Sequence, residues 1–314
     1  MTQAPINPYT DMDASFTSRT VPWMKIGPVL EEGLTVEEAI PAAGLDFTVS
    51  KRAMQYQRTD GTWKTSDKRT MLTRDDNDQE FEAVSFDYVP VQFGEALTIL
   101  SGVSPTVVAA GTLRGGRQGF MVVEMPTVNA VAGLAETDPT RVFGIVRTSH
   151  DRTKAVEFAV MPLRGKCMNM LALASMTKGV AQRWSLPHSG TVQEKLKAAV
   201  KSVEMTARYA LEYQRRVEEL AAKSTSLGFA EQILRDTLKT GPRTDDAIQA
   251  ILNLWQHDET VGFQGQAWGL VNAVSSYMQW ERSGGSPESR FIGAMDGTTY
   301  RYVNQVAQRA LVAA

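Results

Sequence analysis

The sequence predicts an α+β fold, in which an antiparallel β-meander core with short helices is followed by a C-terminal helical region packed on the sheet. Two observations predict this class. Turn signals such as Asp60-Gly61 and Arg114-Gly115-Gly116-Arg117 separate strand-like runs in the first half of the chain. Beyond residue 190, apolar residues recur every three to four positions, which is the period of a helix. Sequential hairpins argue against a doubly wound parallel sheet.

The 314 residues divide into three predicted regions. Residues 1–20 are polar, contain two prolines and have no periodicity, which predicts a flexible N-terminal arm. Residues 21–190 form the strand-rich α+β core, and residues 191–314 form the helical region. No linker rich in serine, glycine or proline marks the boundary near residue 190, so the helices are expected to pack on the sheet.

The N-terminal elements are predicted from caps and turns. Thr35 has the sequence context of a helix N-cap, because Glu38 follows at the capping-box spacing, and Gly44 ends that helix. Residues 47–57 alternate as a strand, and Asp60-Gly61 then returns the chain. Further strands are predicted at residues 70–74, 81–91, 107–113, 120–125, 141–148 and 155–161, with a helix at residues 94–103.

The strand at residues 155–161 is expected to end at Pro162, because proline cannot donate a hydrogen bond to a central ladder. Helices of the last third are predicted at residues 191–223, 229–238, 244–255, 266–280 and 299–312. One apolar stripe follows the first of these helices, through Leu196, Val200, Val203, Ala207, Ala210, Gln214, Val217 and Ala221.

Composition limits the possible functions. At 43% hydrophobic residues the chain can form a sizeable core, and its formal net charge of −2 gives it no overall attraction for nucleic acid or an acidic membrane. One cysteine excludes an internal disulfide. Residues 1–9 lack signal-peptide features and no apolar run reaches about 18 residues, so we expect a cytoplasmic protein with no membrane partner.

The charge is distributed unevenly along the chain. Residues 1–110 contain 9 basic and 16 acidic residues, a net charge of −7, whereas residues 111–190 contain 10 and 5, a net charge of +5. Residues 191–314 are balanced at 14 of each. The middle third is therefore the basic part of the chain and the first place to expect phosphate contacts.

A second basic run lies inside the acidic first third. Residues 51–74 contain seven basic and two acidic residues, with Tyr56 and Trp63 interleaved. Basic side chains mixed with exposed aromatic rings suit single-stranded nucleic acid, because the cations bind phosphates and the bases stack on the rings. A solvated hairpin has the same composition, so both interpretations stay open.

The Arg114-Gly115-Gly116-Arg117 turn also has two interpretations. Its glycines permit positive φ angles and expose backbone N–H groups beside two guanidinium groups, which suits a phosphate. A tight hairpin turn needs the same glycines. The motif lacks the lysine and Ser/Thr of a P-loop, so nothing in it predicts nucleotide hydrolysis.

Candidate catalytic groups are few. Cys167 follows the basic residues Arg164 and Lys166 at a predicted strand exit, and it could act as a nucleophile with His150 or His188 as its base. A lone cysteine at such a junction is equally explained by buried packing. The sequence therefore predicts that the protein is not an enzyme.

Metal sites are equally poorly supported. The acidic residues Asp75, Asp76, Asp78 and Glu80 could hold a divalent ion, but consecutive acidic residues also serve as turn and capping groups. The three histidines and the single cysteine lack zinc-site spacing. We predict no metal and no cofactor.

Several short motifs occur in a recognisable order. They are Pro22-Trp23, Tyr88-Val89-Pro90-Val91-Gln92, Ser149-His150-Asp151, the MPLRGKCMNML run at residues 161–171 and the AWGLVNAV run at residues 267–274. Together they resemble a phage- and plasmid-borne family catalogued as domain of unknown function 932. Arg152 departs from the family pattern, which commonly has glycine after the His-Asp pair.

The resemblance implies a mobile-element protein in a bacterial host and no established activity. A strand-rich basic core followed by helices is also similar, at the level of architecture, to the single-strand annealing recombinases of the Redβ, Erf and RecT superfamily. Those proteins act without metal or nucleotide catalysis and usually as rings.

Charge pattern and resemblance together predict a phage or plasmid protein that binds nucleic acid, most specifically one that anneals or pairs single-stranded DNA in recombination or replication. Tyr56 and Trp63 would stack bases. The residues predicted to contact phosphates are Lys51, Arg52, Lys64, Arg114, Arg117, Arg152, Arg164 and Lys166.

Two expectations depend on the long helix at residues 191–223. Its apolar stripe predicts a homo-oligomer, and the resemblance to the annealing recombinases implies a ring. The alternative function is that of a non-enzymatic interaction protein, which binds a host factor through this helical region.

Overall fold

The computed structural model describes residues 15–18, 29–30, 33–97, 100, 106–124, 140–164, 183–186, 204–258, 262–282, 284, 286–295 and 297–312. The chain divides into two compact units. The sheet unit comprises residues 1–124, 144–159 and 183–203, and the helical unit comprises residues 125–143, 160–182 and 204–314. Strands dominate the first unit and helices the second, so the predicted α+β class is confirmed.

Two sheets contain the described strands. In chain order the strands are β1 (Ser15–Ser18), β2 (Val29–Leu30), β3 (Val49–Gln57), β4 (Trp63–Arg74), β5 (Glu80–Ser85), β6 (Val107–Leu113), β7 (Gln118–Glu124), β8 (Thr140–Ser149), β9 (Val156–Arg164) and β10 (Arg183–Leu186). One sheet has the order β10-β9-β8-β7-β6-β1-β2, and the other is the antiparallel meander β3-β4-β5. Sequential strands are thus neighbours, as the hairpin signals predict.

Four residues of the predicted flexible arm lie in the larger sheet. Ser15–Ser18 form β1, which pairs antiparallel with β6 and parallel with β2. The backbone groups of this polar segment gain hydrogen-bond partners from β6, which a polar composition alone does not indicate.

Strand β9 differs from its prediction because it continues through Pro162 to Arg164. β10 pairs only with residues Val156–Ala159 of β9. Because Pro162 lies beyond these paired residues, its missing N–H removes no hydrogen bond from the described part of the β9–β10 ladder. The basic residue Arg164 is the last residue of the strand, as the predicted strand exit requires.

The first helix, α1 (Val36–Ala42), begins as its capping box predicts. The Thr35 hydroxyl accepts a hydrogen bond from the Glu38 backbone N–H at 3.3 Å, and the Glu38 carboxylate accepts one from the Thr35 N–H at 3.0 Å. Gly44 follows with a φ of +63°. The next helix, α2 (Phe93–Leu97), is shorter in its described part than the predicted 94–103 segment.

The helical unit contains the remaining described helices. They are α3 (Glu204–Ala222), α4 (Leu227–Thr237), α5 (Thr244–His257), α6 (Ala267–Ser276), a π-helical turn (Tyr277–Glu281), α7 (Pro287–Met295) and α8 (Thr298–Val312). The π-helical turn continues α6 directly and ends where the Arg282 N–H donates to the Tyr277 carbonyl. Helix α7 is not among the predicted helices. Pro287 is its first residue, a position that proline tolerates because its missing N–H would have no partner within the helix.

The buried stripe of α3 is rotated from the predicted one. Tyr209, Tyr213, Val217 and Leu220 are at most 1% exposed, and α3 contacts α6 and α8 within the helical unit. Of the predicted stripe, Val217 belongs to this set and Gln214 and Ala221 are partly exposed, whereas the side chains of the other five residues lie outside the described ones. The apolar side of the described helix is thus covered by its own unit. None of the helices in the described ranges is long and apolar enough to cross a membrane.

Candidate nucleic-acid interface

The β3–β4 hairpin extends beyond its neighbouring strand. β5 pairs only with Arg69–Thr73 of β4, so the outer part of the hairpin lacks a third strand. We call residues 54–66 the ribbon. Its turn is fixed by Gly61, with a φ of +82°, and by the Asp60 carboxylate, which accepts hydrogen bonds from the N–H and hydroxyl of Thr62.

Both predicted stacking rings lie on the ribbon and are exposed. Trp63 is 66% exposed and Tyr56 is 49% exposed. Tyr56 pairs with Lys64, whereas Trp63 pairs with Gln57, and paired residues face the same side of a sheet. The two rings therefore project from opposite faces of the ribbon and do not form one continuous stacking platform.

Below the ribbon, β4 bulges and re-aims two cations. The pairing shifts between Ala53 and Gln55, and the Ser66 hydroxyl accepts hydrogen bonds from the N–H groups of Lys68 and Arg69. Bulges are a common way to redirect side chains near functional sites. Lys64, on the ribbon, forms only a loose ion pair with Asp67 at 3.7 Å.

A basic depression of about 350 Å³ lies within the sheet unit. Its lining residues are Lys68, Arg69, Val84, Ser85, Tyr88 and Arg152. None of these lining residues is a carboxylate. Three cations therefore border one small concavity, which is the arrangement an anionic group requires.

The cations of the basic depression differ in how they are held. The Arg69 guanidinium donates to the Ala83 carbonyl at 3.1 Å, which anchors it. Lys68 and Arg152 are exposed, and in the described ranges no ion pair joins either of them to a carboxylate. Arg152 has a φ of +61°, a left-handed conformation that is easiest for glycine.

Lys51 and Tyr88 connect the basic depression to β3. The Lys51 ammonium donates to the carbonyls of Phe86 at 2.7 Å and Tyr88 at 3.1 Å. Burial raises the pKa of the Tyr88 hydroxyl well above its usual value, while the positive charge of Arg152 opposes that shift. Lys51 therefore supports the wall of the basic depression, and Tyr88 stays protonated at neutral pH.

The Arg114–Arg117 turn lies beside the loop that carries Arg152. Arg114, Gly115 and Gly116 all have positive φ angles, of 55°, 62° and 79°. The Arg114 guanidinium lies 3.8 Å from the Asp151 carboxylate, and the Arg117 carbonyl accepts a hydrogen bond from the His150 N–H at 2.8 Å. The Arg117 guanidinium donates to the Glu80 carbonyl at 3.2 Å. The turn is tied to the protein through both arginines.

Arg52 is engaged with the predicted carboxylate cluster. Its guanidinium lies 3.1 Å from Asp75, whose carboxylate also accepts hydrogen bonds from the hydroxyls of Ser50 at 2.7 Å and Thr48 at 2.8 Å. These hydroxyls, more than the arginine, lower the pKa of Asp75. Arg52 is therefore a weaker phosphate candidate than its position in the basic run indicates.

The carboxylate cluster serves the turn between β4 and β5. The Arg74 guanidinium pairs with Asp76 at 2.6 Å and lies 3.9 Å from the centre of the Phe47 ring. Asn77 accepts a hydrogen bond from the Gln79 N–H. Within the described residues, no group of three or more His, Cys, Asp or Glu side chains could hold a metal ion. The turn interpretation explains these residues.

His150 belongs to the core of the sheet unit. Its side chain is fully buried, stacked on Phe81 with ring centres 6.0 Å apart and against Phe93 at 4.5 Å. A histidine in this position is closed to solvent and to a substrate. Its predicted partners Cys167 and His188, and the phosphate candidate Lys166, lie outside the described residues, as does the side chain of Arg164.

Residues 80–311 match the family model described as a domain of unknown function, DUF932. That range is well over half of the chain. The chain belongs to the DUF932 family. No curated protein and no solved structure matches it. The DUF932 match includes the Arg114–Arg117 turn and Arg152 but begins after β4, so the ribbon, Lys51 and Arg52 lie outside the DUF932 range.

Sequence reasoning missed part of the basic depression. Lys68 and Arg69 were counted in the basic run but not chosen, because their spacing gave no reason to prefer them. The signal that could have found them is the serine at position 66, which turns the strand just before two consecutive cations.

Proposed function

We propose that this DUF932 protein binds single-stranded nucleic acid through the ribbon and the basic depression of its sheet unit. The observation that best supports this proposal is that Lys68 and Arg152, which are distant in sequence, line the same concavity. No carboxylate among the described residues lines this concavity. Phosphates of a strand would contact these cations, and its bases would stack on an exposed ribbon ring.

Single strands fit this surface better than duplexes. Stacking on Trp63 or Tyr56 needs the flat face of a base, which a duplex keeps inside its own stack. The basic depression, at about 350 Å³, accepts a phosphate and its sugar rather than a groove-wide contact. The chemistry this surface offers is charge neutralisation and base presentation, which are what the annealing of two complementary strands requires.

We therefore propose annealing or pairing of single-stranded DNA, in phage or plasmid recombination or replication, as the activity of the protein. The context of mobile elements comes from the family resemblance, and the physical support comes from the surface just described. The proposed role needs no bond-making residue. Assembly into an oligomer stays a prediction, and the buried stripe of α3 is no longer its basis.

The alternative function is binding of a host protein through the helical region. Within the described part of α3, the outward residues Glu212, Arg215, Arg216 and Glu219 pair with one another. A self-paired polar face and a covered apolar face offer little to a partner. The nucleic-acid proposal therefore has the stronger structural support.

Trp63→Ala tests the stacking part of the proposal. Removing a stacking ring costs roughly 1–3 kcal/mol per base, so we expect single-stranded DNA to bind about 5- to 150-fold more weakly. Tyr56→Ala, on the opposite face, should have a smaller effect, because its ring is less exposed. Affinity is measured by fluorescence anisotropy with a labelled oligonucleotide.

The matched control is Trp280→Ala. Trp280 is also an exposed tryptophan, at 40%, but it lies on the π-helical turn of the helical unit. It should leave binding unchanged. Wild-type affinity in both ribbon variants would contradict base stacking on the ribbon.

A further inference from the structure

A second basic concavity lies in the helical unit and shares no lining residue with the basic depression. Its volume is about 570 Å³, within the range of small-molecule sites. It is bounded by the segment at residues 238–244, the π-helical turn and the start of α8. We call it the helical-unit cavity, and its residues all lie inside the DUF932 match.

Four cations line the helical-unit cavity and no carboxylate does. They are Lys239, Arg243, Arg282 and Arg301, and all four are exposed to solvent. The last third of the sequence carries as many acidic as basic residues, so this concentration of positive charge is created by the fold. A cavity of one sign attracts and retains ions of the other sign.

Two acidic residues on the adjoining helices pair with arginines that do not line the cavity. Asp245 pairs with Arg235 at 2.7 Å, and Asp236 lies 3.8 Å from Arg309. In the portion of the chain described, no ion pair connects Lys239 or Arg282 to a carboxylate. Lys239 and Arg282 therefore carry charges that no described ion pair neutralises.

A second concavity adjoins the helical-unit cavity and shares part of its lining. Met278, Arg282 and Thr298 also line an adjoining concavity of about 360 Å³, which adds Arg290. The Arg290 guanidinium donates to the Gln279 carbonyl at 3.0 Å, which fixes it beside the π-helical turn. Arg282 thus lines both concavities.

The walls of the cavity include part of the π-helical turn and two tyrosines, Tyr277 and Tyr302. π-helical turns inside helices are frequent at functional sites, and this one brings Tyr277 to the cavity. The Tyr302 hydroxyl accepts a hydrogen bond from the Lys239 N–H at 3.4 Å, and the Arg301 guanidinium lies 5.8 Å from the Tyr302 ring centre. These contacts hold the cations around a partly apolar wall.

We propose that the helical-unit cavity binds the polyphosphate chain of a small ligand, either free or attached to a nucleoside. Successive phosphates would contact Lys239, Arg282 and Arg301, and the Tyr277 ring would flank a base if one is present. Arginine and lysine together suit this ligand class, since guanidinium groups bind phosphate oxygens in pairs and ammonium groups act as point charges. This site shares no residue with the proposed strand-binding surface, and the proposal does not depend on that surface.

Isothermal titration calorimetry on the full chain tests the proposal, with sodium triphosphate and a nucleoside triphosphate as separate probes. We expect saturable binding by the wild-type protein and roughly 100-fold weaker binding by Lys239→Gln/Arg282→Gln, since each charged contact contributes about tenfold or more. Arg215→Gln/Arg216→Gln removes two arginine charges from α3, which does not line the cavity, and should leave the affinity unchanged.

The two probes identify the source of the phosphate. Equal affinities for the two probes mean that the phosphate chain alone is recognised. If the nucleotide binds more tightly than triphosphate and Tyr277→Ala removes that difference, the Tyr277 ring contacts the base. Absence of saturable binding at millimolar probe, or unchanged affinity in both Lys239→Gln/Arg282→Gln and Arg301→Gln, would overturn the proposal. Displacement of triphosphate by an oligonucleotide would also overturn it, because the cavity would then belong to the strand-binding surface. Thermal melting of each variant verifies that it is folded.

Discussion

Neutralising Lys68 and Arg152 together is expected to weaken the binding of single-stranded DNA by at least about tenfold at low salt. These side chains are exposed cations of the basic depression, and neither forms an ion pair with a described carboxylate, whereas Arg69 is anchored to the Ala83 carbonyl. Their full charge is therefore available to phosphates. If each contacts one phosphate, the slope of log K against log salt should fall by about 1.4 in Lys68→Gln/Arg152→Gln, since a single-strand contact contributes about 0.7.

The comparison variant for this experiment is Arg215→Gln/Arg235→Gln, which lowers the net charge by the same amount. Arg215 pairs with Glu212 and Glu219, and Arg235 pairs with Glu231 and Asp245, so neither should attract a strand. If both double variants bind single-stranded DNA equally weakly, only total charge matters. That result would contradict the proposed role of the basic depression.

The largest expected effect on stability comes from Gly269→Ala, in the AWGLVNAV motif of α6. A Cβ at this position would lie 2.1 Å from the Phe263 carbonyl oxygen and 2.8 Å from that of Gly262. Both obstacles are backbone atoms, which cannot turn aside as a side chain can. We expect the substitution to destabilise the protein by about 3 kcal/mol, the upper part of the usual range for overpacking.

Gly228→Ala is the matched control, because Gly228 is also a helical glycine, in α4. An added Cβ there meets no atom within 4 Å. Alanine favours helix over glycine, so stability should be unchanged or rise by about 0.5 kcal/mol. Chemical denaturation of the two variants measures both effects. Similar stability of the two variants would show that the loop at residues 262–266 does not pack against α6 as described.

Local signals in the sequence predict local structure well in this chain. The Thr35–Glu38 capping box, the Asp60-Gly61 turn and the turn at Arg114–Arg117 are all found where their residue types require them. Each depends on contacts within a few residues, which a sequence displays directly. The fold class follows from the same signals, because hairpins and helical periods are themselves local patterns.

Features set by pairing over longer distances could not be predicted. Tyr56 and Trp63 lie close together in sequence, yet the register of β3 and β4 places them on opposite faces. His150 has a polar side chain beside a predicted loop, yet the packing of Phe81 and Phe93 encloses it completely. Register and enclosure depend on partners that are tens of residues away.

The candidate sites show the same division. Counting charges in the sequence identifies the basic run at residues 51–74 and the basic middle third. It does not show that Lys68 is a better phosphate candidate than Arg52, whose charge Asp75 partly neutralises. The charge count also does not predict the helical-unit cavity, because the helical third contains equal numbers of acidic and basic residues. Net charge reports composition, whereas a binding site depends on which charges the fold brings together.

The central claim is that the sheet unit binds single-stranded nucleic acid through phosphate contacts and base stacking. Its most direct test is fluorescence anisotropy of a labelled single-stranded oligonucleotide titrated with the full-length protein over a series of salt concentrations, with a duplex of the same sequence in parallel. We predict saturable binding at low salt, a linear fall of log K with log salt, and weaker binding of the duplex. No change in anisotropy for the single strand at micromolar protein and low salt would contradict the claim.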